Sequence, residues 1–143
     1  MQENLINKLH EYITQNNPDL LLTLQEKNRV TSYLIDKINT IKDLLDQLRE
    51  AKKPEYIIEE ICMEELTKDL RPSKYSYIVN ILEEDFANTY NNLQRSGKLL
   101  YEVVNMIGYC DQVFESLKFS EENEDNRQLR YTVTGIINEY LNK

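Results

Sequence analysis

Apolar side chains recur at intervals of three and four residues along most of this chain. One such series comprises Val30, Leu34, Ile38, Ile41, Leu45 and Leu48. Because positions three and four apart share one face of an α-helix, this spacing predicts amphipathic helices. Glycine and proline, which mark the turns of folds built from many short strands, each occur only three times in 143 residues. The sequence therefore predicts an all-α protein.

Interruptions of this pattern predict one compact bundle of five or six helices. The predicted helices cover residues 3–16, 30–53, 54–70, 73–95, 98–117 and 128–142. Leu20 to Leu24 predict either a short turn under the first helix or the start of the second. No linker and no repeat divides the chain, so we expect a single helical domain over residues 1–143.

Two small residues carry separate predictions within this pattern. Ser73 follows Pro72 and precedes an apolar series, which predicts an N-cap whose hydroxyl accepts a hydrogen bond from a free backbone N–H. Gly108 lies in the middle of the predicted fifth helix, where glycine costs about 1 kcal/mol relative to alanine. We interpret Gly108 as a point where another helix approaches closely, with a break in the helix as the alternative.

The chain is acidic, with a formal net charge of −8 and a pI near 4.8. This charge opposes attraction to phosphate backbones and to anionic lipid surfaces, so direct nucleic-acid binding is disfavoured. No leader and no long apolar run is apparent, so we expect no membrane span and a cytoplasmic location. The two cysteines, Cys62 and Cys110, lie in apolar helical stretches and are expected to be buried, reduced thiols.

Residues for known kinds of catalysis are sparse. His10 is the only histidine, and its place beside an apolar stripe predicts a surface residue rather than a base or a ligand. No Glu-x-x-His pair, no closely spaced Cys and His, and no glycine-rich phosphate loop occurs. The sequence therefore predicts no enzyme, no cofactor and no metal.

Carboxylates form the remaining clusters. Glu59, Glu60, Glu64 and Glu65 predict a solvated helix face, with a divalent cation or a basic partner as the alternatives. Glu121 to Asp125 predict a solvated, mobile connection. A calcium loop is the weaker interpretation, since the glycine and the distal glutamate of an EF-hand are missing.

The stretch from residue 71 to 77 is the first candidate for partner binding, through Arg71, Lys74, Tyr75 and Tyr77. Two cations beside two tyrosines can clamp and stack a partner, nucleic acids included. The alternative is a pair of tyrosines at the edge of the core. A helix-turn-helix over residues 57–90 is disfavoured, because its second helix would carry Glu83 and Glu84 towards phosphates.

The chain resembles a family of small all-helical domains of unknown function, found on conjugative mobile elements of Bacteroides-type bacteria. The likeness extends from about residue 57 to 141. Its motifs are a Ser73-Lys74-Tyr75 helix start, a Glu84-Asp85-Phe86 helix end, and a closing series of Thr134, Gly135, Ile136, Tyr140 and Leu141. The resemblance implies an all-helical fold and a mobile-element setting, and it implies no activity.

The leading hypothesis is a non-enzymatic interaction or regulatory protein that binds a macromolecular partner, expected to be a protein, through a helix surface. The alternative is an acidic protein that imitates nucleic-acid charge and occupies a basic groove of a DNA-handling or defence protein. In that case the carboxylates at 59–65, 83–85 and 121–125 would line one side of the fold. The sequence leaves a homodimer open.

Overall fold

The computed structural model describes residues 2–143, and the regular elements in that range are all helices, without strands. Its elements are α1 (Gln2–Asn16), α2 (Pro18–Glu26), α3 (Val30–Thr40), α4 (Lys42–Glu50), α5 (Glu55–Leu66), a 3-10 turn (Lys68–Leu70), α6 (Lys74–Asp85), α7 (Ala87–Ser96), α8 (Leu99–Ser116) and α9 (Arg127–Leu141). The all-α prediction is confirmed. The prediction of five or six helices is wrong, because the described residues form nine.

One of the extra helices arises at Ile41, which interrupts the predicted helix over 30–53. The N–H of Ile41 donates to the carbonyl of Ile38 at 3.1 Å, a tighter turn than an α-helix makes. The Ile41 side chain is itself buried. The spacing of apolar residues therefore continues unchanged across the break, so this spacing gives no sign that the helix ends there.

A second break lies at Phe86, between α6 and α7. Its backbone leaves the helical region (φ −137°, ψ 48°), while its N–H still bonds to the carbonyl of Leu82 at 2.9 Å. The half-buried ring packs on the core. Again an apolar residue, rather than proline or glycine, ends a helix.

The other two uncertain segments are now defined. Leu20 to Leu24 belong to a helix of their own, α2, which starts at Pro18. Gly108 lies inside the unbroken α8, and a methyl group added there would meet no atom within 4 Å. Both interpretations of Gly108, a close helix approach and a break, are therefore wrong.

The chain divides into two compact units, residues 1–70 and residues 71–143. In the first, α1 packs against α2, α3 and α5. Its core contains Leu5, Leu9, Ile13, Leu34, Ile38, Ile41, Leu45, Ile58, Cys62 and Leu66. Each unit has a hydrophobic core of its own, and the expectation of a single domain over 1–143 stays a prediction.

In the second unit α8 is central and packs against α6, α7 and α9. Its core contains Ile78, Ile81, Leu82, Val103, Met106, Ile107, Cys110, Phe114, Leu129, Val133 and Ile137. Each of the two cysteines lies in a different core, and both are free and buried, as the sequence predicted. Burial raises the pKa of the Cys110 thiol to about 11, which keeps it protonated and unreactive at neutral pH.

None of the helices within residues 2–143 combines the length and the apolar character that crossing a bilayer requires.

Candidate functional site

The start of α6 is fixed by a side-chain cap. The hydroxyl of Ser73 accepts a hydrogen bond from the N–H of Ser76 at 3.0 Å, and the helix begins at Lys74. The predicted N-cap is confirmed. The face of α6 that meets the core is the one that carries Ile78, Ile81 and Leu82.

The two predicted cations of this stretch contact carboxylates of their own unit. Arg71 Nη1 lies 3.4 Å from Oε2 of Glu121, and Lys74 Nζ lies 3.4 Å from Oδ1 of Asp111. Lys74 also lies 5.5 Å from the ring centre of Phe114, within the range of a cation–π contact. The two cations therefore point to separate acidic partners.

The two predicted tyrosines pack against the core of residues 71–143. Tyr77 meets Phe114 and Phe119 edge to face, with ring centres 5.8 Å and 5.1 Å apart. Tyr75 is two positions earlier on the helix and so projects in a different direction, and burial raises the pKa of its hydroxyl. These placements fit the core-edge alternative. The four candidate residues are not brought together into one clamp.

Tyr77 instead lines a polar cleft of about 310 Å³. We call it the acidic cleft, and its lining residues are Pro72, Ser73, Ser76, Tyr77, Asn80, Glu84, Glu124, Asp125 and Arg130. The residues from α6 follow spacings of three and four, so one face of that helix forms a wall. Arg130 from α9 and two carboxylates from the preceding loop complete the lining.

Arg130 is the only cation that lines the acidic cleft. Its Nη2 donates to Oε2 of Glu84 at 3.0 Å and to Oδ2 of Asp85 at 3.2 Å, which ties α9 to the end of α6. Both charge-assisted bonds come from one nitrogen of the guanidinium. Glu124 and Asp125 are exposed, so the cleft presents an excess of negative charge.

The hydroxyl of Tyr77 is buried and has no hydrogen-bond partner. Burial raises its pKa, an effect that nearby Arg130 opposes and Asp125 reinforces. An unpaired buried hydroxyl costs about 1–3 kcal/mol. The cleft therefore contains an unsatisfied polar group close to its charged side chains.

The segment of residues 121–126, which we call the acidic loop, is held in place by Asn123. Its Oδ1 accepts from the N–H of Ser120 at 2.8 Å and from the Ser120 hydroxyl at 3.1 Å, and its amide donates to the carbonyl of Leu117. The loop ends at Asn126, whose side chain caps α9 through the N–H of Leu129 at 3.0 Å. These bonds position Glu124 and Asp125 at the cleft.

Two of the three predicted acidic clusters meet at this cleft. Glu84 comes from the 83–85 cluster, and Glu124 with Asp125 from the 121–125 cluster. The cluster at 59–65 belongs to the first unit, where Glu59 pairs with Lys8. The structure thus brings together carboxylates that are about 40 residues apart in sequence.

The side chains that could ligate a metal are dispersed over the part of the chain that the structure describes. Within residues 2–143, no three His, Cys, Asp or Glu side chains are grouped so that they could hold a metal ion. The carboxylates at 59–65 and at 121–125 are included in that range. His10 is exposed on α1, as its sequence context predicted.

Sequence reasoning missed Arg130 and Asn80 as cleft residues. Arg130 follows the buried Leu129 in an apolar series and looks like any cation on the outer side of a helix. Its pairing with Glu84 spans 46 residues and depends on the turn before α9. The only usable signal was its place between an acidic loop and an amphipathic helix.

No family model, no curated protein and no solved structure matches this chain.

Proposed function

We propose that this chain is a non-enzymatic interaction protein whose acidic cleft binds the cationic side chains of a partner protein. The observation that carries this proposal is the convergence of Glu84, Glu124 and Asp125 on one cleft, where Arg130 is the only cation. Carboxylates placed on a capped helix and a tethered loop suit lysine and arginine side chains.

The proposal changes the candidate site but keeps its helix. Tyr77 stays in it as a lining residue, and the α6 face that begins at Ser73 is the binding surface. Arg71, Lys74 and Tyr75 are proposed to act indirectly, by holding α6 against the rest of its unit. Arg71 does so through Glu121, at the start of the acidic loop.

The kind of partner and the cellular location are proposed from other features of the chain. The resemblance to domains of conjugative mobile elements favours a partner encoded with such an element or by its bacterial host. Two free, buried thiols fit a reducing compartment and support a cytoplasmic location. The acidic balance of the chain supports a basic protein rather than a nucleic acid or a membrane as partner.

A second candidate is imitation of nucleic-acid charge. It is favoured by the same convergence, because carboxylates from two distant segments produce one negative surface. In this version the chain occupies a DNA-binding groove and competes with DNA. Competition with a duplex of about 20 base pairs for a non-specific DNA-binding protein distinguishes it from simple cation recognition.

The test of the proposed function uses an eight-residue arginine peptide as probe and titration calorimetry as readout. In the cleft variant, Glu124→Gln and Asp125→Asn are combined. The matched control combines Glu122→Gln with Glu139→Gln, which removes the same charge from exposed positions outside the cleft lining. We expect the cleft variant to bind about tenfold more weakly, and the control to differ little from the parent. An equal loss of peptide affinity in both variants would mean that binding depends on the net charge of the protein and not on the cleft.

A further inference from the structure

A groove between α1 and α5 in the first unit has the lining of a helix-docking surface. From α1 it is lined by Lys8, Glu11, Tyr12 and Gln15, and from α5 by Tyr56, Glu59, Glu60 and Met63. Both helices contribute residues at positions i, i+3, i+4 and i+7. The groove has a volume of about 390 Å³ and follows each helix for two turns, about 10 Å.

Three side chains of this α1–α5 groove, Tyr12, Tyr56 and Met63, offer aromatic or apolar surface. Tyr56 is 71% exposed, and Tyr12 and Met63 are half-buried. An amphipathic helix can lay its apolar face in a groove between two helices, with its apolar side chains packed on such residues. Met63 adds a flexible side chain that adapts to the surface it meets.

The edges of the groove are acidic. Glu11 and Glu60 are exposed, one on each helix. Lys8, the single cation in the lining, forms an ion pair with Glu59, and the amide of Asn4 donates to the same carboxylate at 2.8 Å. This pairing neutralises Lys8 and bridges the two helices, so the groove keeps an excess of negative charge from Glu11 and Glu60 beside its aromatic and apolar side chains.

We propose that the α1–α5 groove docks an amphipathic helix of a partner protein, whose apolar stripe packs on Tyr12, Tyr56 and Met63 and whose lysine or arginine side chains pair with Glu11 and Glu60. Charge complementarity selects this occupant. A second copy joined through the same groove would bring two negatively charged linings together. The groove lies within residues 1–70, so this inference is independent of the acidic cleft.

The test uses a synthetic helical peptide of about 18 residues, with leucine at i, i+3, i+4 and i+7 and lysine elsewhere. The control peptide carries glutamate in place of every lysine. Binding is followed through the methyl groups of methionine in isotope-labelled full-length protein. Met63 lines the groove, whereas Met106 is fully buried in the core of residues 71–143 and serves as the internal reference.

We expect the lysine peptide to shift the Met63 methyl resonance and to leave that of Met106 in place, and the glutamate peptide to shift neither. Tyr56→Ser should weaken binding by about tenfold, because it removes an aromatic anchor. Glu60→Gln should weaken it by about threefold, the size of a rim ion pair. The matched controls are Tyr101→Ser and Glu50→Gln, at exposed positions outside the groove lining, and these should bind like the parent.

Three outcomes would overturn the inference. One is a Met63 resonance that does not respond to the lysine peptide. Another is equal binding by the two peptides or by Tyr56→Ser and the parent protein. The third is a dimer in sedimentation that Tyr56→Ser dissociates, because a second copy would then occupy the groove.

Discussion

Arg130 donates through Nη2 to Oε2 of Glu84 at 3.0 Å, and this bond joins the first turn of α9 to the last turn of α6. Both residues line the acidic cleft. Arg130 therefore joins two helices of residues 71–143 and also lowers the negative charge of the cleft. The other carboxylates of the lining, Glu124 and Asp125, are carried by the loop that leads into the same helix. One guanidinium thus links two helices of the unit and sets the net charge of the cleft.

The unpaired hydroxyl of Tyr77 gives a prediction about stability. Tyr77→Phe removes a buried oxygen that has no partner, so the free energy of unfolding should stay the same or rise by about 1 kcal/mol. The control is Tyr140→Phe, which removes a hydroxyl that donates to Glu102 and should cost about 1 kcal/mol. Urea unfolding measures both. A clear loss on Tyr77→Phe would show that the hydroxyl has a partner, such as a bound water.

The three glycines should respond to alanine with opposite signs. Gly97 has a φ of +72° at the C-terminus of α7, where alanine is strained, so Gly97→Ala should destabilise the protein by about 1 kcal/mol. Gly108 and Gly135 lie inside helices with open space around an added methyl. Gly108→Ala and Gly135→Ala should each raise the free energy of unfolding by about 0.5–1 kcal/mol. Thermal unfolding that ranks the variants otherwise would contradict these assignments.

Sequence alone was sufficient for the features that depend on neighbouring residues. Ser73 was predicted as an N-cap because the chemistry of a cap lies within four residues, and the cap is present. Ile41 and Phe86 end helices without any local signal, since both keep the apolar period while the chain turns. The acidic cleft escaped prediction for a related reason. It depends on the tether at Asn123 and on the direction that α9 takes from the loop, which only packing determines.

Burial of the Cys110 thiol predicts a loss of stability at alkaline pH. Its folded pKa of about 11 exceeds the ordinary value of 9.0, so the fold favours the protonated thiol. This contribution is fully present below pH 9 and is lost as the pH rises through the folded pKa. By pH 10.5 it should have lowered the free energy of unfolding by about 2 kcal/mol.

The measurement for this prediction is urea unfolding at several pH values between 8 and 10.5, on the parent and on Cys110→Ala. The variant is expected to be less stable at pH 8, because a small cavity replaces the sulfur. Its stability should fall less steeply with pH, so the two curves converge. If stability falls equally with pH in the parent and the variant, Cys110 does not contribute to the loss of stability at alkaline pH. The loss would then come from tyrosine hydroxyls whose pKa is raised.

The central claim, that the cleft recognises positive charge, is tested most directly by Arg130→Gln and the eight-residue arginine peptide. The substitution removes the one cation of the lining and frees Glu84 and Asp85, which now contact it. Circular dichroism first confirms that the variant is folded, since loss of these partly exposed ion pairs should cost about 1 kcal/mol or less. We expect the peptide to bind about fivefold more tightly than to the parent. Equal or weaker binding by the folded variant would contradict the account, because removal of the one cation in the lining would then not make the cleft a better site for a positively charged peptide.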